Sequence, residues 1–558
     1  MEQKWWQNSV VYQIYPRSFN DTNGDGIGDL KGIIEKLDYL EFLGIDMIWL
    51  CPIYPSPMDD NGYDISDYYN ISETYGSFAD FEKLTEEAKN RGIKIMMDLV
   101  INHTSDEHAW FLESKQSVNS PKRDWYIWQD PKADGSPPNN WRSIFGGSAW
   151  EFDESTNQYY LHTFSRKQPD LNWENKEVRD ALHEMVKWWI ERGVSGFRVD
   201  AITFIKKGEL TEDLPTSDSD GLSNISNACL NRDGIEVFLQ ELKKKTFSNY
   251  DFVTVAEAPG VSPENMASYI GEKGHFDMLF EFNHVDLDLG KEGKWFEPKS
   301  WKLFDLKKAI NDSQALLNKT GWGALYIENH DHPRSLNKYL GELEGSERQK
   351  AAKMLATTYF LLKGTPYIFQ GQEIGMTNVS YSSIDEYDDL ASKDQYFTAI
   401  EEGYSPEEAL KAIWRRSRDN SRTPMQWNDT KNGGFTEGQP WLKVNENYPE
   451  VNVEKELNEK TSTLHYYRKL IQLRKSSDYS NVLIYGEYEP MLEENEHIFA
   501  YTRKYNGKKL IVLSNFSNQE TKLENSYGKV LFSTYADNLK VDLLRPYESV
   551  VIESSEEQ

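Results

Sequence analysis

The chain is 558 residues long and carries a formal net charge of −29, with its acidic residues spread along its length. That length predicts more than one domain, and the acidic charge excludes nucleic acid and anionic membrane as expected partners. The chain has two cysteines, Cys51 in an apolar run and Cys229 in a polar one, so no disulfide framework is expected, although a single Cys51–Cys229 bridge stays open.

The amino terminus, Met1-Glu-Gln-Lys-Trp-Trp-Gln7, has no apolar leader, and no later stretch nears the ~20 apolar residues of a membrane span, so a cytoplasmic protein is expected. Beyond it, short β-branched and aromatic runs alternate with segments of helical periodicity, the pattern of repeated βα units. Eight strands are expected, at 10–15, 47–51, 93–100, 196–201, 252–258, 278–282, 324–329 and 366–370. Helical periodicity falls at 30–43, 78–90, 177–192, 235–246 and 347–362. Right-handed crossovers would close these into a parallel barrel.

The gap between the third and fourth strands is too long for one helix. Its Trp-, Pro-, Asn- and Gly-rich stretch, 106–174, is expected to be an inserted subdomain. A second polar excursion, at about 375–458, should fold over the barrel mouth before a closing helix at 462–475. From 478 to 558 short alternating strands with Asn-Gly and Ser-Asn turns predict a carboxyl-terminal antiparallel β-sandwich. The fold class is therefore α/β: a (β/α)8 TIM barrel formed by 1–105 and 175–477, interrupted after its third strand and followed by the sandwich.

Three acids stand at the ends of three strand-like runs: Asp200 in Gly196-Phe-Arg-Val-Asp-Ala201, Glu257 in Val253-Thr-Val-Ala-Glu-Ala258, and Asp331 in Tyr326-Ile-Glu-Asn-His-Asp331. Carboxylates at the carboxyl ends of barrel strands are placed for catalysis. Glycosidic cleavage passes through an oxocarbenium-like state that needs a carboxylate and a proton donor. Arg198, two residues before Asp200, projects to the same side of its strand and is expected to keep that carboxylate ionised. The many tryptophans and tyrosines suit stacking on sugar faces.

Five blocks carry a resemblance: Asp98-Leu-Val-Ile-Asn-His103, the blocks around Asp200 and Glu257, Asn329-His-Asp-His-Pro-Arg334, and Gln168-Pro-Asp-Leu-Asn-Trp173. In this order on eight strands they resemble the α-amylase family of glycoside hydrolases, in its oligo-1,6-glucosidase and α-glucosidase branch. The resemblance implies Asp200 as nucleophile, Glu257 as general acid/base and Asp331 as a grip on substrate hydroxyls. It implies that His103 and His330 hydrogen-bond the sugar, that Tyr63 stacks on the terminal glucose and that Asp64 holds its outer hydroxyls. An arginine of 414–422 would pair with Asp64, with Arg418 expected and Arg415 and Arg422 as competitors. Phe145 and Phe164 match aromatic residues that line such pockets.

Asp21-Thr-Asn-Gly-Asp-Gly-Ile-Gly-Asp29 places oxygen side chains at alternating positions around a glycine turn, like the first half of a calcium loop, but Gly32 stands where a full EF-hand has its glutamate. The resemblance implies calcium held by Asp21, Asn23, Asp25, the Ile27 carbonyl and Asp29. An Asx-bonded turn is the alternative. No organic cofactor is expected.

The resemblance implies that the residue after the nucleophile, here Ala201, borders the aglycone and bears on linkage preference. Strict oligo-1,6-glucosidases commonly have valine there, so the smaller side chain favours maltose and malto-oligosaccharides over isomalto-oligosaccharides. The expected activity is exo-acting release of glucose, with transfer to a sugar hydroxyl in place of water as a side reaction. Isomaltase, trehalose-phosphate hydrolase and isomerase activities are alternatives on the same scaffold; no added basic cluster for phosphate is evident, although Lys206 and Lys207 after the fourth strand keep the phosphate reading open. A metal-dependent barrel hydrolase built on His330 and His332, and a noncatalytic binding relative, are remoter ones.

Overall fold

The computed structural model describes residues 3–554 apart from 217, 219, 263–264, 524–526, 536 and 538–541. Eight parallel strands form its centre: β1 (Val11–Ile14), β2 (Met47–Leu50), β3 (Lys94–Val100), β4 (Gly196–Asp200), β5 (Val253–Glu257), β6 (Met278–Phe280), β7 (Ala324–Leu325) and β8 (Thr365–Phe369). Neighbours pair in the order β6-β5-β4-β3-β2-β1-β8-β7, and a parallel bridge between Leu279 and Gly323 joins the two edges into a ring.

Strand periodicity decides what the ring contains. Val11, Met47, Trp49, Met96, Val253, Val255, Met278, Phe280 and Tyr367 form one cluster inside it, while alternate residues such as Tyr12, Ile48, Ile95, Phe197, Val199 and Ala256 join the larger core under the helices. Strands covered on both faces read as continuous apolar runs, which is why the sequence locates them well. Gly196 lies at the start of β4, where a Cβ would come within 2.7 Å of Val253 and 3.0 Å of Met96. That small residue lets the strands close above the inner cluster.

The helices fall close to expectation. Phe78–Asn90 starts on a capping box between Ser77 and Asp80, and Lys176–Ile190 starts on an Asn175 cap. The expected helix at 30–43 is two, Leu30–Glu35 and Leu37–Leu43, broken at Lys36. The insertion after β3 carries a three-stranded antiparallel sheet (Trp128–Gln129, Trp150–Asp153, Gln158–Leu161), and Trp141–Arg142 pairs with Ser223–Asn224 of the β4 loop. The excursion after β8 includes the helices Leu390–Glu401 and Pro406–Arg416. Beyond the closing helix Thr463–Ser476, a five-stranded antiparallel sheet and a two-stranded ribbon make the carboxyl-terminal unit. Cys51 and Cys229 are both buried and free, so the open Cys51–Cys229 bridge does not form. Among the described residues no helix is long and apolar enough to cross a membrane.

Candidate active site

The same periodicity that turns Met96 and Val255 into the barrel turns Asp98, Arg198, Asp200 and Glu257 inward one layer higher, with Asp98 directly beside Arg198 in register. Arg198 Nη1 bonds Asp98 Oδ1 at 2.7 Å and Asp200 Oδ1 at 2.5 Å, and its Nη2 lies 2.6 Å from Glu257 Oε1. One guanidinium thus serves three buried acids. Burial pushes Asp200 up to about 7, against the pull of Arg198 and with a further push from Asp98. Burial, again opposed by Arg198 and reinforced by Asp200, takes Glu257 up to about 8. The expectation that Arg198 keeps the Asp200 value low is therefore corrected: one cation shared among three acids does not offset their burial.

Ala201 follows β4 in the left-handed region (φ 44°), so its N–H points back and donates to Glu257 Oε2 at 2.9 Å. Asp331 is raised by burial, yet it lies well below the usual carboxylate range because His330 and the guanidiniums of Arg418 and Arg422 face it. Burial keeps His330 itself neutral, so the two arginines supply the charge.

Asp200, Glu257 and Asp331 open into a cavity of about 700 Å³ that Tyr63, His103, Phe145, Phe164, Ala201 and Arg418 also line. His330 does not line it. Its ring is buried beneath Tyr63 (stacked, 5.3 Å), with Nε2 2.6 Å from the Tyr63 hydroxyl and 3.1 Å from Asp331 Oδ2. It therefore positions those two groups from beneath. His103 is held neutral by burial, at about 4, with Nε2 against the Tyr63 carbonyl and the Gln168 amide.

The pairing expected for Asp64 is not found. Asn61 (φ 50°) and Gly62 (φ 104°) reverse the chain, so that Tyr63 and Asp60 face the cavity and Asp64 faces back into its own loop. There it accepts bonds from Ser56 Oγ (2.9 Å) and the amides of Asp59 (2.8 Å) and Asp60 (3.0 Å). Arg418 pairs instead with Asp60 (3.2 Å), Asp389 (2.7 Å) and Asp331 (3.4 Å), and its guanidinium sits 4.9 Å over the Phe145 ring. Arg422 bonds Asp331 (2.9 Å), and Arg415 lies away toward Asp288 (3.7 Å). Asp60 and Asp389 are thus site residues that the sequence reading missed, and Asp98, which heads one of the five blocks, was given no role of its own there. The acidic turn Asp59-Asp60-Asn61-Gly62 was the available signal, since its glycine marks a reversal.

Lys206 pairs with Glu174, and Lys207 is buried against Asp170 (2.6 Å), Asn102 (2.9 Å) and the Phe204 carbonyl (2.7 Å), tying the insertion to the barrel. Neither is placed to meet phosphate. Each basic side chain lining the cavity is already paired with a carboxylate: Arg142 with Asp218 and Asp220, Lys294 with Glu402, Arg416 with Asp286 and Asp288, and Arg418 as above. His330 and His332 diverge, the latter toward Asn329 (2.8 Å), so they do not form a shared metal-ligand pair.

In the 21–29 loop, Asp21 accepts from the amides of Asn23 (2.9 Å), Gly24 (2.8 Å) and Gly26 (2.8 Å), Asn23 from Asp25 (2.9 Å) and Asp25 from Ile27 (2.9 Å). Asp29 caps the next helix at Gly32 (2.7 Å). The loop is tied to the excursion by Thr436 Oγ1 on Asp21 (2.5 Å) and Trp441 N on the Gly26 carbonyl (3.1 Å). Its donors are all oxygens, as a hard cation requires, while its carboxylates serve backbone amides.

The chain matches the family model for the alpha amylase catalytic domain over residues 13–486 and that for the alpha-amylase SusG C-terminal domain over residues 498–551. It is 49% identical to the oligo-1,6-glucosidase of Parageobacillus thermoglucosidasius, covering 99% of both chains, and 44% identical to the trehalose-6-phosphate hydrolase of Bacillus subtilis, covering 98% of both. Among solved structures it resembles the isomaltulose synthase of Protaminobacter rubrum, with a TM-score of 0.94 at 40% identity over 100% of both chains.

Proposed function

The chain belongs to the alpha-amylase family of glycoside hydrolases and is an α-glucosidase-type hydrolase, and we propose that it is an exo-acting, retaining oligo-1,6-glucosidase that frees glucose from the nonreducing ends of short isomalto-oligosaccharides. The observation that carries this reading is the Arg198 guanidinium shared by Asp200 and Glu257 on adjacent strand ends. Three buried acids around one cation favour holding a proton, and Glu257, with the higher value, holds it ahead of Asp200. A carboxylate and a carboxylic acid then flank the anomeric carbon.

In the first step an Asp200 oxygen bonds to the anomeric carbon as the glycosidic C–O bond breaks, and Glu257 gives its proton to the departing oxygen. In the second, the Glu257 carboxylate takes a proton from water, which attacks the same carbon and releases Asp200. Two inversions return α-glucose. A sugar hydroxyl in place of water gives transfer. Asp331, kept ionised by Arg418 and Arg422, grips sugar hydroxyls, and the Asp60–Arg418–Asp389 lattice walls the pocket behind the terminal glucose.

Linkage follows the relatives' names, ahead of the maltose preference read from Ala201. One observation favours α-1,4 as a second reading: Ala201 lines the cavity with a methyl only. Comparing kcat/KM on isomaltose, maltose and trehalose 6-phosphate tests this. Faster isomaltose cleavage supports the first reading and faster maltose cleavage the second. Preference for the phosphate contradicts both, since the lining cations are already paired. Calcium is also part of the proposal, held by Asp21, Asn23, Asp25, the Ile27 carbonyl and Asp29, where it would brace the loop against the excursion. Chelation should then lower the melting temperature and calcium restore it.

A further inference from the structure

The helices Lys176–Ile190 and Ile235–Lys245 flank β4 on the outside of the barrel. Asp180 and His183, three residues apart, share one face of the first helix, and Glu241 meets them from the second. One ligand atom from each lies within 4.8 Å of the other two. His183 is 1% exposed, and both of its ring nitrogens are buried without a hydrogen-bond partner. A buried imidazole with neither nitrogen satisfied calls for an explanation, and this one is directed at two carboxylates.

A side-chain cation already stands between those carboxylates. Lys245 Nζ is 2.8 Å from Asp180 Oδ1 and 2.7 Å from Glu241 Oε1. Arg179 Nε also holds Glu241 (2.8 Å), and Lys176 holds Asp180. Lys245 is the last residue of its helix, with a side chain 38% exposed, so it can withdraw into water from a weakly held surface pair. It makes no hydrogen bond to either nitrogen of His183, and an ammonium, having no lone pair, could not accept from the ring N–H in any case.

We propose that Asp180, His183 and Glu241 form a zinc site that a divalent ion enters by displacing the Lys245 ammonium. One nitrogen and two carboxylate oxygens suit zinc and not the oxygen-seeking calcium or magnesium, with water in the fourth position. The donors would close from within 4.8 Å of one another to the roughly 3.4 Å that tetrahedral zinc bonds impose. The ion would staple the two helices beside β4, so it raises stability and leaves turnover alone.

The test is calorimetric titration of zinc chloride into the chelator-stripped full chain, with melting curves alongside. The wild type should take up one zinc at this site and melt higher with it, and calcium should not compete. Asp180→Asn and Glu241→Gln should each weaken that uptake by at least about tenfold, the scale on which even outer partners act, and erase the melting shift. Lys245→Met, which removes the competing ammonium, should tighten it severalfold. His183→Ala should lose it, and the two surface substitutions decide the matter if that variant fails to fold. Absence of saturable uptake by the wild type, or uptake unchanged in both Asp180→Asn and Glu241→Gln, overturns the proposal.

Discussion

The floor and the back wall of the cavity are built differently. On the floor, Asp98, Arg198, Asp200 and Glu257 sit on three adjacent strands whose register fixes which way each side chain points. In the wall, Asp60 comes from the loop after β2 and Arg418 from the excursion after β8, some 358 residues apart in sequence. Strand geometry makes the floor predictable one residue at a time, whereas the wall depends on where two loops reverse. Chemistry is therefore invested where the backbone is stiffest, and substrate selection where it varies most readily.

The largest separation should come from the floor. Asp200→Ala and Glu257→Gln should each lower kcat by about 10⁴-fold or more without unfolding the barrel, measured by glucose release and circular dichroism. Glu257→Gln should keep its first step on a substrate whose leaving group needs no proton, while Asp200→Ala should not. Equal losses on that substrate would break the assigned roles.

The wall should respond less and unequally. Asp60→Asn or Arg418→Ala should cut kcat/KM on disaccharides by about 10²-fold through misplacement of the terminal glucose. Asp64→Asn, which loosens only a turn, should cost about 1–3 kcal/mol of stability with kcat/KM changed less than tenfold. If Asp64→Asn proves the more damaging to kinetics, the contrast between the two aspartates is wrong.

The pH profile sharpens the floor further. The proposed roles need Asp200 ionised and Glu257 protonated, so kcat/KM should fall on the acid side as Asp200, raised to about 7, gains its proton, and on the alkaline side as Glu257, raised to about 8, loses its own. Asp331, held low, should contribute no limb in this range. Glu257→Gln should abolish the alkaline limb alone, as read with the activated substrate.

The smallest effect is expected at Ala201. Ala201→Val should move the isomaltose-to-maltose ratio severalfold toward isomaltose, a change worth about 1 kcal/mol. It should also lower the melting temperature, because a β-branched residue is strained at φ 44°.

The sequence made the floor legible for a physical reason. Apolar runs announce buried strands, and a carboxylate ending such a run has few places to go. Tyr63 and its neighbour Asp64 came from the resemblance, and Asp60, on the same turn, was not considered. Which of two acids faces a cavity depends on the positive φ values at Asn61 and Gly62, and adjacency in sequence does not encode them. The contact of His330 with Tyr63 was likewise not legible, because it joins loops far apart in sequence. Asp389 was invisible because it both caps the helix Leu390–Glu401 and grips Arg418, and only the first task leaves a local mark.

The bond that Asp200 forms in the first step can be trapped and identified. Incubation with a fluorinated glucosyl donor that slows the second step, followed by peptide mass spectrometry, should find one glucosyl adduct, on Asp200. An adduct on another side chain, or β-glucose as the first anomer released from an ordinary substrate, would contradict that role for Asp200.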